Sequence, residues 1–195
     1  MPDLTDDYLL MLDLETTGLD PSRDSVLEYA MVLVDANDLT VLWSDTQLIA
    51  TRIPLNQMHM SPYVRNMHTN SGLLAEHMGH KGPLLPLEET LARALGMMTQ
   101  HWLPSERLSS NSVAWATLCG YSIHFDRGFL KQQAPNFEAK CSHRMLDVST
   151  LRRCTKQWAP NLLREAVGAQ HRALVDCLDA LDELRPYRKL FLAQK

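Results

Sequence analysis

Three short, dense apolar stretches open the chain. Tyr8 to Leu14 is nearly unbroken, as in a strand covered on both faces. The turn-forming Thr17-Gly18-Leu19-Asp20-Pro21 ends it. Val26 to Val34 and Val41 to Ile49 are two further strand candidates, and the polar Asp35-Ala36-Asn37-Asp38 between them suits a hairpin loop. From Pro54 to Pro86 the chain is rich in Met, His, Asn, Gly and Pro, with room only for short helices. Leu87, Leu91, Leu95, Met98 and Trp102 then recur at helical spacing and predict an amphipathic helix. Ala114 to Gly120 reads as a buried strand, Asp126 to Lys131 as the start of a helix, Met145 to Val148 as a short strand and Ser149 to Trp158 as a helix. Leu174, Leu178, Leu181 and Leu184 mark a C-terminal helix that Pro186 should close. Strands first, then alternating helix and strand, predict a mixed α/β domain. No repeat or linker interrupts it, so one domain is expected over residues 1–195, with its core at about 8–191.

Composition narrows the classes. An apolar fraction of 45% is that of an ordinary globular protein, and 195 residues suit one sizeable domain. No run of about 18 apolar residues suggests a membrane span. Met1-Pro2-Asp3-Leu4-Thr5-Asp6-Asp7 is acidic where a targeting peptide would be basic, so a cytoplasmic protein is expected. The scattered Cys119, Cys141, Cys154 and Cys177 contain no C-x-x-C pair and read as reduced thiols. A net charge of −4 and a pI near 6.0 argue against a long basic face for duplex nucleic acid. Any nucleic-acid substrate should be short, or held locally.

Candidate chemistry begins at Asp13-Leu14-Glu15. Residues two apart on a strand share a face, roughly 6.5–7 Å apart, so both carboxylates leave an apolar strand together. Such a pair is costly to bury without a cation, and hard divalent ions choose carboxylate oxygens. A bare D-x-E is more often a solvated strand end. The context is Asp13-Leu14-Glu15-Thr16-Thr17-Gly18-Leu19, which resembles the first exonuclease motif of the DnaQ-like (DEDD) superfamily. Ser122-Ile123-His124-Phe125-Asp126-Arg127 with Phe129-Leu130 resembles the second motif. His171-Arg172-Ala173-Leu174-Val175-Asp176 resembles the third in its histidine-bearing, DEDDh form. Three motifs in order are far more specific than one.

The likeness is closest to the oligoribonuclease family. It extends through Asp20-Pro21-Ser22-Arg23-Asp24 with Glu28, His68 with Ser71-Gly72-Leu73, Arg144 to Leu151, and Trp158-Ala159-Pro160. The resemblance implies an RNase H-like fold, a mixed central sheet flanked by helices. It implies a homodimer that hydrolyses short single-stranded RNA or DNA, dinucleotides above all, from the 3′ end. Two divalent cations, Mg²⁺ or Mn²⁺, would lie between Asp13, Glu15, Asp126 and Asp176, clamping the attacking and leaving oxygens. His171 would be the general base, a task suited to imidazole. Substrate contacts would come from Leu19 as a wedge between bases, from Tyr63 stacking in place of the family's tryptophan, and from His68. Ser122, Arg144 and Ser149 match a 5′-phosphate cap, the latter two expected from the partner subunit. His143 stands where the family has a tyrosine that completes the cap. His124 and Phe125 are bulkier than the family's Gly-Gln at the same place.

The residues alone leave other readings open. A lone histidine before a helix is commonly structural. Asp176 falls about 145° from the leucine stripe at 100° per residue and would be solvated by periodicity. His77-Met78-Gly79-His80 lies on an expected loop without further zinc ligands. Asp179, Asp182 and Glu183 read as a solvated helix face, and Arg152, Arg153 and Lys156 as solvated or phosphate-attracting. Two rival functions stand beside the first: a broader DEDDh exonuclease on single-stranded DNA, and a catalytically silent binding module. A basic groove would favour the former, and loss of a metal ligand the latter.

Overall fold

The structure is a computed structural model and describes residues 7–101, 116–162 and 170–193. Strands β1 (Tyr8–Thr16), β2 (Val26–Asp35), β3 (Val41–Leu48), β4 (Thr117–Gly120) and β5 (Met145–Asp147) form one sheet in the order β3-β2-β1-β4-β5. The β1–β2 and β2–β3 pairs are antiparallel, while β1–β4 and β4–β5 are parallel. Parallel neighbours need a crossover, and between β4 and β5 this is α4 (His124–Gln133) with the single turn α5 (Pro135–Glu138). The remaining helices are α1 (Pro62–Asn70), α2 (Leu73–Gly79), α3 (Leu87–His101), α6 (Val148–Trp158) and α7 (Ala173–Leu192).

The near-continuous apolar runs are explained by helices on both faces. Leu10, Leu12 and Leu14 of β1 pack with Leu87, Leu91 and Met98 of α3 and Phe129 and Leu130 of α4. Leu9 and Met11 face the other way, with Ala30, Val32 and Val34 of β2, against Ala173, Cys177, Ala180 and Leu184 of α7. Alternation along β1 thus assigns odd positions to α7. Asp13 and Glu15 are the next odd positions.

Some expectations change. Pro186 does not close the last helix, which continues to Leu192. Buried Tyr187 and the bond from Arg188 Nε to the Asn37 carbonyl hold the turn beyond it, compensating for the missing N–H. The buried stripe of α7 is Ala173, Cys177, Ala180, Leu181 and Leu184, with Leu178 exposed. Small residues let the helix lie close on the sheet, so counting leucines misplaces its face. Glu183 is buried rather than solvated. Met1–Asp6, Trp102 and the Ala114–Trp115 start of the expected fourth strand lie outside the described residues. Among the described residues no helix is long and apolar enough to cross a membrane.

Candidate active site

At Gly120 an added Cβ would stand 2.7 Å from the Leu12 carbonyl, so only glycine lets β4 approach β1 this closely. There β4 ends. The N–H of Leu14, beyond that end, donates to Oδ1 of Asp126 at 3.0 Å. Asp126 lies in the first turn of α4 and is buried. The second motif is thereby tied to the first by a backbone bond at the end of a strand.

From the opposite side comes the start of α7. His171 has φ 54°, and Asp176 sits in the first turn of the helix, held by backbone hydrogen bonds at Gln170 and His171. Measured from the true buried stripe, Asp176 lies about 85° off centre at 100° per residue, at the edge facing β1. One donor atom each from Glu15, His171 and Asp176 lie within 4.8 Å of one another.

The acids repel. Burial first, then the charges of Asp176 and Glu28, raise the Asp13 carboxyl to about 8. Burial, then Asp13, Asp176 and Glu28, raise Glu15 to about 9, with Arg172 pulling it down. Asp126 and Asp176 are also pushed up, chiefly by burial. Converging carboxylates that resist ionisation, with an imidazole beside them, form a donor set that fits a hard divalent cation.

Glu28 is in register with Glu15 on β2 and equally buried, but it is neutralised by Arg172 at 2.7 Å. His68 is fully buried. Its Nε2 lies 2.8 Å from the Thr16 carbonyl, which can only accept, so Nε2 carries the proton. Nδ1 has no hydrogen-bond partner and stands 3.7 Å from Glu15 Oε2. Burial lowers the His68 pKa. The expected substrate contact of His68 is therefore replaced by support beneath Glu15.

The other substrate candidates lie outward. Leu19 is 79% and Tyr63 73% exposed. Both line a cleft of about 520 Å³ with Glu15, Met67 and Phe125. Tyr63 also lines a second hollow of about 440 Å³ with Asn66, Asn70, Gln170 and His171. The Leu19 loop is well tied: Asp24 accepts from the Asp20 N–H at 2.8 Å, and Gln133 of α4 donates to Pro21 and Asp24 carbonyls at 3.0 and 2.9 Å. Ser61 caps α1 by accepting from Val64 at 3.2 Å, which sets Tyr63 on its first turn.

Ser122, at φ 48°, has its Oγ 3.3 Å from Ser149 Oγ of the same chain. The expectation that Ser149 comes from a partner is thus corrected. The reason is β5, where Gly120 pairs with Asp147. Asp147 Oδ1 accepts both the Ser122 N–H and the α6 N-cap bond from Thr150, each at 3.2 Å. His143 and Arg144 are exposed on the turn before β5.

Elsewhere, His77 lies on α2, not a loop, with Nε2 2.9 Å from the Ile49 carbonyl. It joins no metal-ligand cluster among the described residues. Arg152 pairs with Glu183 at 2.8 Å and is engaged within the fold. The four cysteines are free. Sequence reasoning gave no role to Arg172, Asp147 or the Glu28 carboxylate. The Asp-x-x-Thr before the helix from Val148 signalled Asp147 as a cap, whereas the Glu28–Arg172 ion pair spans 144 positions and has no local signal.

Comparison with known proteins shows the family and the fold. The chain belongs to the exonuclease family of the RNase T type, which matches residues 10–184. It is similar to curated oligoribonucleases within that class. That of Corynebacterium diphtheriae is 34% identical over 95% of this chain and 84% of the relative. That of Chromobacterium violaceum is 35% identical over 94% and 95%. Among solved structures, exonuclease I from Methylocaldum szegediense superposes with a TM-score of 0.65 at 18% identity, over 93% of this chain and 40% of that one. E. coli exonuclease I in complex with a dT13 oligonucleotide gives 0.62 at 15%, over 96% and 42%. At these identities the likeness is one of fold: the RNase H-like exonuclease sheet. The chain spans about 40% of the exonuclease I structures and most of the oligoribonucleases.

Proposed function

We propose that this chain is a 3′→5′ exonuclease that degrades very short oligonucleotides, with 5′-phosphorylated RNA dinucleotides as its preferred substrate. The observation that carries the reading is the convergence of Glu15, Asp176 and His171 donor atoms within 4.8 Å, beside Asp13 and Asp126 at the end of β1. Asp13, Glu15, Asp126 and Asp176 would hold two divalent cations, Mg²⁺ or Mn²⁺. When bound, these supply Lewis-acid polarisation of the phosphodiester. His171 takes a proton from the attacking water as its oxygen bonds to phosphorus, the bond from phosphorus to the 3′ oxygen breaks, that oxygen takes a proton from solvent, and a nucleoside 5′-monophosphate leaves. Leu19, Tyr63 and Phe125 line the cleft and hold the bases by stacking and apolar contact, which is tolerant of sequence. The chain carries all five residues of the motif set, which argues against a silent binding module.

Ser122 and Ser149 would close the 5′ side, joined by Arg144 and by His143 from either subunit. The enzyme acts as a single exonuclease domain, in a cytoplasmic homodimer. Exposed Trp158 and Phe191 supply apolar surface for such contact. A second reading, a broader exonuclease on single-stranded DNA, is supported by His143, whose shorter ring leaves the cap looser than a tyrosine would. End-labelled RNA and DNA of two to ten nucleotides, with and without 5′-phosphate, decide between them. Turnover should fall beyond two nucleotides, and Arg144→Ala should weaken dinucleotide binding by about 1.5–3 kcal/mol. A ten-nucleotide strand cut as fast as a dinucleotide would transfer the assignment to the broader enzyme.

A further inference from the structure

We propose that Glu28 and Arg172 form a clamp that positions His171 for catalysis; this rests on His171 as the proton acceptor proposed above. Glu28 projects from β2 towards α7, buried and in register with Glu15. Both its oxygens are engaged. Arg172 Nε lies 3.2 Å from each and Nη2 2.7 Å from Oε1, while the Ala173 N–H donates to Oε2 at 2.9 Å. Arg172 Nη2 also reaches Oε2 of Glu76 on α2 at 2.8 Å. The Arg172 side chain makes no cap bond of its own to α7, so the first turn is capped from the sheet, by Glu28.

The residue before this anchor is His171, at φ 54°. A histidine holds such a conformation only when its surroundings over-determine it. A planar, bidentate guanidinium–carboxylate pair at the next residue is a restraint of that kind. Of the other site groups, Asp13 and Glu15 are fixed by β1 and Asp126 by its bond to Leu14. Asp176 is fixed by α7 itself, its N–H donating to Arg172 O at 3.0 Å. His171 alone among the five precedes its helix, where its backbone N–H meets the Asp176 carboxylate and the clamp holds the residue that follows it. Glu28 is thus a positioning residue, and it uses a carboxylate on the metal-facing side of the sheet without joining the ligand set.

The test is a double-mutant cycle on dinucleotide hydrolysis, read by single turnover with enzyme in excess. Glu28→Gln keeps the volume and loses the charge. It should lower the chemical rate by about 10–100-fold, as loss of an outer-shell partner does, with the substrate concentration at half-maximal rate unchanged. In the His171→Ala background the same change should cost little, because the group it positions is gone. Arg172→Lys keeps the charge, loses the fork, and should repeat the pattern; it carries the test if the Gln variant does not fold. An equal fold-loss in both backgrounds, or weakened binding with an unchanged rate, overturns the clamp while leaving the base intact. Full activity of His171→Ala overturns the base assignment, and the clamp with it.

Discussion

Asp13, Glu15 and Glu28 share one face of the sheet, and the arginine pairs with Glu28. Asp13 is left to resist ionisation, with its carboxyl raised to about 8. A residue kept at such a cost is one whose replacement relieves the fold and removes the function. Asp13→Asn should therefore abolish hydrolysis and raise the melting temperature of the metal-free protein at pH 8. A lower melting temperature would show that the carboxylate is structurally satisfied after all. Asp126 differs, because it also accepts the Leu14 N–H. Asp126→Asn keeps an acceptor and should fold normally without activity. Asp126→Ala leaves a buried donor unpaired and should cost about 1–3 kcal/mol as well, measurable by urea denaturation. Of these groups, Asp13 and Glu15 were placed on one face by strand alternation, and the first motif made them a candidate site. Asp176 was not placed by periodicity, because small residues rather than leucines make the buried face of its helix, and only the third motif identified it.

At the scale of elements, α7 is more than a cover for the sheet. Glu183, in its middle, accepts from Tyr121 Oη at 2.6 Å, Tyr187 Oη at 3.1 Å and Arg152 Nη1 at 2.8 Å. The network joins α7, α6 and the residue preceding Ser122, so the helix that carries Asp176 also steadies the Ser122–Ser149 side of the site, the proposed phosphate cap. Glu183→Leu removes the carboxylate that two hydroxyls and a guanidinium share. It should cost about 3 kcal/mol, the low end for a broken buried pair because Arg152 is partly exposed, with a matching loss of preference for 5′-phosphate. An unchanged unfolding midpoint would place the network outside the stability of the fold. Sequence pattern located this helix but read Asp179, Asp182 and Glu183 alike as solvated, since three acids in five positions look the same whether or not distant partners cover one of them. The strands were easier. β1, β2 and β3 declare themselves by dense apolar runs, whereas β4 and β5, at four and three residues, depend on pairing with neighbours far along the chain.

For the molecule as a whole, the acids make stability depend on pH and on metal together. Asp13 and Glu15 are raised to about 8 and about 9 in the folded chain from ordinary carboxyl values near 4. Below those ordinary values both states hold their protons and the advantage of the native state is complete. As pH rises towards 8 and 9, the unfolded chain ionises freely and the folded one resists, so stability falls by up to about 1.4 kcal/mol per pH unit for each group. His68 works in the other direction. Burial lowers its pKa, so its contribution is full above the ordinary histidine value near 6.5 and is lost as pH falls below it. The window that isolates the carboxylates is therefore about pH 7 to 9. In EDTA the melting temperature should decline across that window. With saturating Mn²⁺ the decline should be suppressed, because a cation bound only by the folded, deprotonated site offsets the repulsion and adds stability by mass action. The gap between the two curves should widen with pH, and Asp13→Asn should narrow it from both sides by stabilising the metal-free form and weakening the metal-bound one. Parallel curves, or a melting temperature that climbs with pH in EDTA, would mean that the converging carboxylates are not a cation site.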